Sequence, residues 1–183
     1  MSRTPSSAER QRLIAAAATL VRQGPATALT EKKVCAAARC TPAAFRRHFK
    51  RRTDYVLAVQ QAFMDAVRDR IVESMGAQAE GYDRVRQASE TYLDACLEHQ
   101  PLRLWLLAAR KGRPELADAL RRQNDVYQLL LAGEFKKLGW AHPKAAARLY
   151  LAMLMETGLM ETVTGTALPE LRATLRDFLR AYS

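Results

Sequence analysis

Acidic residues are almost missing from the start of this chain. Residues 1–52 hold two, Glu9 and Glu31, against 12 Lys and Arg, a net charge of +10. Residues 53–183 hold 17 of each sign, so the whole formal charge of the 183-residue chain lies in its first 52 positions. That split excludes a uniformly basic surface and leaves a local positive footprint of the kind that binds a polyanion. Cysteine is scarce as well. Cys35, Cys40 and Cys96 form neither a metal-ligand set nor a redox-pair spacing. Buried thiols are the plain reading of them, with redox sensing at Cys35 or Cys40 as the other. No stretch of about 18 uncharged apolar residues occurs, which excludes an obvious membrane helix; the longest candidate, Leu149–Met155, stops at Glu156. Met1–Ser7 has no apolar h-region, so no signal peptide is expected and the chain is read as soluble and cytoplasmic.

β-branched runs are missing too, and what remains reads as helix. Ser6-Ser7-Ala8-Glu9 has the form of a capping box, predicting a helix from about residue 7 to Gly24-Pro25. Leu13, Ala16, Ala17, Leu20 and Val21 recur along it at helical spacing. Thr30 caps a short helix to about Ala38, and Thr41-Pro42 starts another, with Pro at the first helical position where its missing N–H costs nothing. Longer helices follow: Thr53 to about Met75, 82–99, 101–111, 115–138, 143–164 and 169–182, punctuated by Gly and Pro. The expected fold is all-α with about nine helices. Residues 1–52 would form a three-helix domain that carries the net charge, and 53–183 a larger helical domain.

Two short helices joined by a tight turn make a helix-turn-helix pattern. On a recognition helix from Pro42 to Phe49, helical spacing turns Ala43, Arg46 and Arg47 outward and Phe45 and Phe49 inward. Phe45, Leu20, Val34 and Phe49 would form the small core, while Arg47, His48, Lys50 and Arg52 ride along phosphate edges. A basic run alone also describes a solvated face; the charge segregation and the helix-turn-helix spacing together favour nucleic acid.

The last helix is amphipathic, with Leu171, Leu175, Phe178, Leu179 and Tyr182 on one stripe. The helix before it is apolar all round over Leu149–Met155, which predicts burial on every side. A second copy of the chain is the favoured cover, with Leu151, Met155, Leu171, Leu175 and Phe178 at a homodimer interface; a central helix of the protomer's own core is the alternative. Glu156 in this helix either pairs with Arg148 or an interface Arg, or orients a cationic ligand.

Nothing marks an enzyme. His48, His99 and His142 lie in separate elements, and no Gly-rich phosphate loop, HExxH pair or nucleophile elbow occurs. Glu156 and Glu161, five apart on a helix, do not face each other. No metal site and no cofactor are expected.

From Arg12 to Val59 the chain resembles the DNA-binding region of the TetR family of bacterial transcription regulators. The matching residues are Leu13-Ile14-x-Ala16-Ala17-x-x-Leu20, Leu29-Thr30, Val34-x-x-x-Ala38 and Phe45-x-Arg47-His48-Phe49-Lys50-x-Arg52. Three positions depart from the family pattern. Arg39 replaces the usual turn Gly, at a cost of about 1 kcal/mol for a left-handed residue. Arg46 replaces the usual Tyr, and Pro42-Ala43-Ala44 replaces Lys-Gly-Thr after the cap. Base readout then falls on Arg46, on Lys32 or Lys33, and on contact between Ala43 or Ala44 and thymine methyls.

The resemblance implies a one-component regulator, most simply a repressor: a dimer gripping double-stranded DNA at a near-palindromic operator and released by a small apolar or amphipathic effector. It makes 1–52 the DNA-binding domain and 53–183 the effector-binding and dimerisation domain, with Phe63, Val67, Tyr92, Cys96, Trp105, Tyr127 and Met153 as candidate effector lining; plain core is the favoured reading of each residue taken singly. A constitutive or architectural DNA-binding protein with little base readout is the alternative.

Overall fold

The computed structural model describes residues 5–24, 29–76, 78–111 and 113–181, and among these every regular element is a helix. They are α1 (Pro5–Gln23), α2 (Glu31–Ala38), α3 (Pro42–His48), α4 (Arg52–Met75), α5 (Tyr82–Glu98), α6 (Gln100–Arg110), α7 (Pro114–Lys137), α8 (Pro143–Thr164) and α9 (Pro169–Arg180). The expected all-α class with nine helices is what the described residues form.

Helix starts follow local chemistry. Thr30 Oγ1 accepts a hydrogen bond from the Lys33 N–H at 3.3 Å, and Thr41 Oγ1 from the Ala44 N–H at 3.1 Å, each satisfying a donor that the helix cannot. Two starts differ from expectation. α1 begins at Pro5, so Ser6 lies within it; the Ser6 side chain, and with it the capping box, lies outside the described residues. α4 begins at Arg52, and the cap belongs to Asp54, whose carboxylate accepts from the Arg51 N–H at 3.0 Å. A carboxylate reaching back one turn satisfies an orphan donor more strongly than a threonine hydroxyl.

The chain divides into two compact units, one drawn from Met1–Asp65 and Pro101–Leu116, the other from Ala66–Gln100 and Ala117–Ser183. The boundary expected at residue 52 therefore falls inside the first unit. The reason is packing: Tyr55, Val56 and Val59 of α4 are buried with Leu13, Ala17, Val34, Phe45 and Phe49. Phe45, Phe49 and Tyr55 form a ring triangle with centroids 5.2–5.3 Å apart, and the Tyr55 hydroxyl donates to the Leu13 carbonyl at 3.0 Å. Leu20, expected in this core, is only half-buried, whereas Leu13 of the same helix is fully buried. Tyr55→Phe keeps the ring and deletes the hydrogen bond, so thermal unfolding should show a loss of about 1 kcal/mol. An unchanged midpoint would mean that the hydroxyl does not tie α4 to α1.

In the second unit α5, α8 and α9 pack on one another around Val85, Leu93, Phe135, Tyr150, Leu154 and Leu179. Two polar groups inside it are matched. Tyr150 and Ser89 share a 2.8 Å hydrogen bond, and burial pushes the Tyr150 hydroxyl up to about 12. Glu161, with no exposed surface, accepts from Arg172 Nε at 2.7 Å, from a second Arg172 nitrogen at 2.8 Å and from the Leu168 N–H at 2.9 Å. Arg172 also reaches Asp94 of α5 at 2.7 Å, so one guanidinium ties three helices together.

Candidate nucleic-acid interface

The turn between α2 and α3 is closed by Arg39, the one non-glycine with positive φ among the described residues (φ 52°). Its N–H returns to the Ala36 carbonyl and the Cys40 N–H to the Cys35 carbonyl, closing α2 in the left-handed manner that normally selects glycine. The conformational cost is about 1 kcal/mol, set against an exposed guanidinium beside the recognition helix.

α3 then presents its charges. Arg46 and Arg47 have side chains 72% and 66% exposed, and Ala43 faces solvent with them. Lys32, Lys33, Lys50 and Arg52 are exposed on the flanking segments, and Thr30 and Thr41 are exposed with their hydroxyls engaged in capping. Two expected contact residues turn away. Ala44 is 3% exposed because it packs inward beside Phe45, so apolar contact with a thymine methyl rests on Ala43 alone. His48 has a side chain 8% exposed and holds Glu9 at 2.7 Å, which makes it a strut between α1 and α3 instead of a phosphate contact.

Glu9 and Glu31, the two acids of the first 52 residues, are both spent on this helix. Glu31 pairs with Arg46 at 3.1 Å, and Glu9 with Arg47 at 2.8 Å as well as with His48. Hydrogen bonds from Arg47 and His48 hold the Glu9 carboxyl below its ordinary range. Any stability it contributes is present above the ordinary carboxylate range and lost as pH falls through its lowered value. Exposed pairs of this kind are worth little, so either arginine can leave its acid for a phosphate or a base edge. Residue spacing carried no sign of these pairings, which join positions 15 to 39 apart.

The residues expected to line an effector site are divided between the units. Phe63 and Trp105 belong to the first, where both are buried; Val67 and Cys96 are buried in the second, and Tyr92, Tyr127 and Met153 half-buried there. The expected interface residues are similarly mixed. Leu151 and Leu175 lie in the second unit's core, and Met155, Leu171 and Phe178 are half-buried. The large apolar side chains that α8 leaves in solvent are Leu149 (61% exposed), Met160 and Val163 (63%).

No family profile matches the sequence, and no curated protein matches it. Solved structures do. A protein from Rhodococcus sp. described as a TetR-family transcriptional regulator superposes with a TM-score of 0.78 over 95% of this chain and 98% of its own, at 18% identity. A TetR transcriptional regulator from Legionella pneumophila gives 0.72 over 99% and 97%, at 14% identity. This chain has the TetR fold. A transcriptional regulator from Saccharomonospora viridis, solved in complex with choline, shares that fold with a TM-score of 0.65 over 93% of this chain and 95% of its own, at 17% identity. The likeness runs through the whole chain, whereas the resemblance in sequence stops near Val59.

Proposed function

We propose that the chain is a DNA-binding transcriptional regulator of the TetR type and not an enzyme. The observation that carries this reading is the exposed cationic face of α3, with Arg46 and Arg47 at its centre, on the segment that holds the entire net charge. Arg46 would read a base edge in the major groove; Arg47, Lys32, Lys33, Arg39, Lys50 and Arg52 would follow phosphates. Two copies would grip half-sites about 34–36 Å apart, one helical turn of DNA. Repression is the simplest output of such binding.

The partner surface is proposed on the exposed side of α8. Leu149, Met160 and Val163 fall on one helical face with Ala152 and Glu156 between them, all facing solvent in the protomer. Effector release, by a small apolar or amphipathic molecule in the second unit, is supported by the helical body's size and by the choline-bound Saccharomonospora viridis protein. Among the described residues no group of His, Cys, Asp and Glu could hold a metal, and no helix is long and apolar enough to cross a membrane. The inward turn of Ala44 favours a second reading, a constitutive binder with little base readout.

Selection of bound sequences from a random DNA pool at fixed salt tests both readings. A regulator should return a palindrome with turn-spaced half-sites, and a constitutive binder no consensus. Neutralising Arg46 and Arg47 together should lower affinity strongly and reduce the salt slope by about 2. Singly, Arg46→Ala should relax sequence preference by about 1–3 kcal/mol, while Arg47→Ala should weaken all sequences alike. Unchanged binding and slope in the double variant would remove α3 as the DNA-reading face.

A further inference from the structure

The turn between α2 and α3 folds two cysteines together whose spacing in the sequence matches no redox pair. Cys40 donates its N–H to the Cys35 carbonyl at 2.9 Å, and Arg39 donates its own to the Ala36 carbonyl at 3.2 Å. These are the paired bonds of a helix that ends on a left-handed residue, and the side chains of the two outer positions commonly touch there. Standard backbone dimensions and a 2.9 Å N···O contact leave the Cα atoms of Cys35 and Cys40 no more than about 6.8 Å apart. A disulfide spans Cα separations of roughly 4.4–6.8 Å. Both residues are free thiols.

The two thiols stand in different surroundings. Cys40 is half-buried, and Cys35 is 3% exposed. Arg12 of α1 donates to the Cys40 sulfur at 4.0 Å, while the Cys40 thiol donates to the Ala38 carbonyl at 3.3 Å. Burial above all, with Glu31 and Cys40 nearby, pushes the Cys35 thiol up. One thiol is thus open to an oxidant with a cation beside it, and a second, protonated thiol stands behind it. Apolar filling of the turn accounts for the sealed Cys35. It does not account for a half-exposed thiol with a guanidinium on its sulfur. Cys96, with no exposed surface, is out of an oxidant's reach.

We propose that Cys35 and Cys40 form a reversible disulfide when the chain meets a peroxide, and that this bond weakens DNA binding. Cys40, as its thiolate, attacks one peroxide oxygen; the O–O bond breaks, hydroxide leaves, and Cys40 becomes a sulfenic acid. The Cys35 sulfur then attacks the Cys40 sulfur, its S–H proton passes to the departing hydroxyl, and water leaves. The two thiols lose two electrons and two protons between them, and the peroxide is reduced to two waters. The new bond draws Cys40 toward Cys35 and ends its hydrogen bond to the Ala38 carbonyl. The next residue, Thr41, caps α3, so the recognition helix is re-aimed from its first turn. Helix displacements of about 1–2 Å are enough to act as switches. The effect on DNA rests on the DNA-binding reading above; the disulfide does not.

Peptide mapping of the full chain tests the chemistry, because trypsin cleaves after Arg39, between the two cysteines. The folded chain is treated with hydrogen peroxide, then unfolded, alkylated and digested. Peptides 34–39 and 40–46 should appear as one linked species that separates on reduction. Cys40→Ser should give no linked species, and Cys35→Ala should leave a sulfenic acid on Cys40 that a cyclic 1,3-diketone captures. Should the buried Cys35→Ala change prevent folding, Cys40→Ser, at a half-exposed position, still decides the matter. Separately alkylated peptides after peroxide, or a bond to Cys96 in place of this one, would overturn the proposal. A second arm follows a labelled duplex. Oxidation should weaken binding about tenfold, dithiothreitol should restore it, and Cys40→Ser should be insensitive to peroxide. A disulfide that leaves affinity unchanged or raises it would overturn the switch. A disulfide in a chain that binds no duplex even when reduced would overturn the DNA reading and leave the thiol pair intact.

Discussion

Glu161→Ala should cost about 3–5 kcal/mol of stability, which is the usual penalty for removing one partner of a buried ion pair. The variant leaves the Arg172 guanidinium, 14% exposed, with only Asp94 to balance it, and it strips the Leu168 N–H of its acceptor. For a chain of this size each kcal/mol moves the midpoint by about 2–4 °C, so a fall of roughly 6–20 °C is expected in a thermal scan. The pair itself is a different quantity from the penalty for breaking it. Replacing both partners with Met removes two desolvated charges at once, and that double variant should be far less destabilised than the sum of its singles. A loss under about 1 kcal/mol for Glu161→Ala would mean that water reaches the site and that α8, α9 and α5 hold together by apolar contact alone.

Glu161 also shows where sequence reading ends. Helical spacing establishes that Glu156 and Glu161 point to different sides of α8, and it does not say which side is wet. In the fold Glu156 is exposed and Glu161 is sealed by Arg172, eleven residues on and across a turn. Features set by a few neighbouring residues were legible: the Thr30 and Thr41 caps, Pro42, Pro143 and Pro169 at helix starts, Arg39 in the turn, and Phe45 and Phe49 facing inward. Features set by distant pairings were not. His48 has the string position of a phosphate contact, yet Glu9 on α1 draws it in. Leu13 and Leu20 share one stripe of α1 by spacing, yet Leu13 is sealed and Leu20 only half-buried. The all-apolar run 149–155 was legible as a helix with too much hydrophobic surface for one neighbour. Which part of that surface the protomer covers depended on α5 and α9, and they take Leu151 and Leu154 while leaving Leu149.

That division of α8 yields the other large effect. Leu149→Glu with Val163→Glu should give a folded monomer, because both side chains are more than half exposed in the protomer and lose no packing there. The matching charge at Leu151 should unfold the second unit, since Leu151 lies in its core with Tyr150 and Leu154. Sedimentation velocity at micromolar concentration separates the two, with circular dichroism reporting the helix content of each. The consequence for DNA is larger than that for stability. A dimer turns its second half-site contact into an intramolecular step, worth about 10²–10⁴ in affinity without any new contact, and a monomer forfeits that gain. The double variant should therefore bind a palindromic duplex no better than one half-site, with the Arg46 and Arg47 face untouched. A dimer that survives both charges would move the partner surface away from α8, and to the α7 side chains Val126, Leu129 and Leu130, which are exposed to a similar degree.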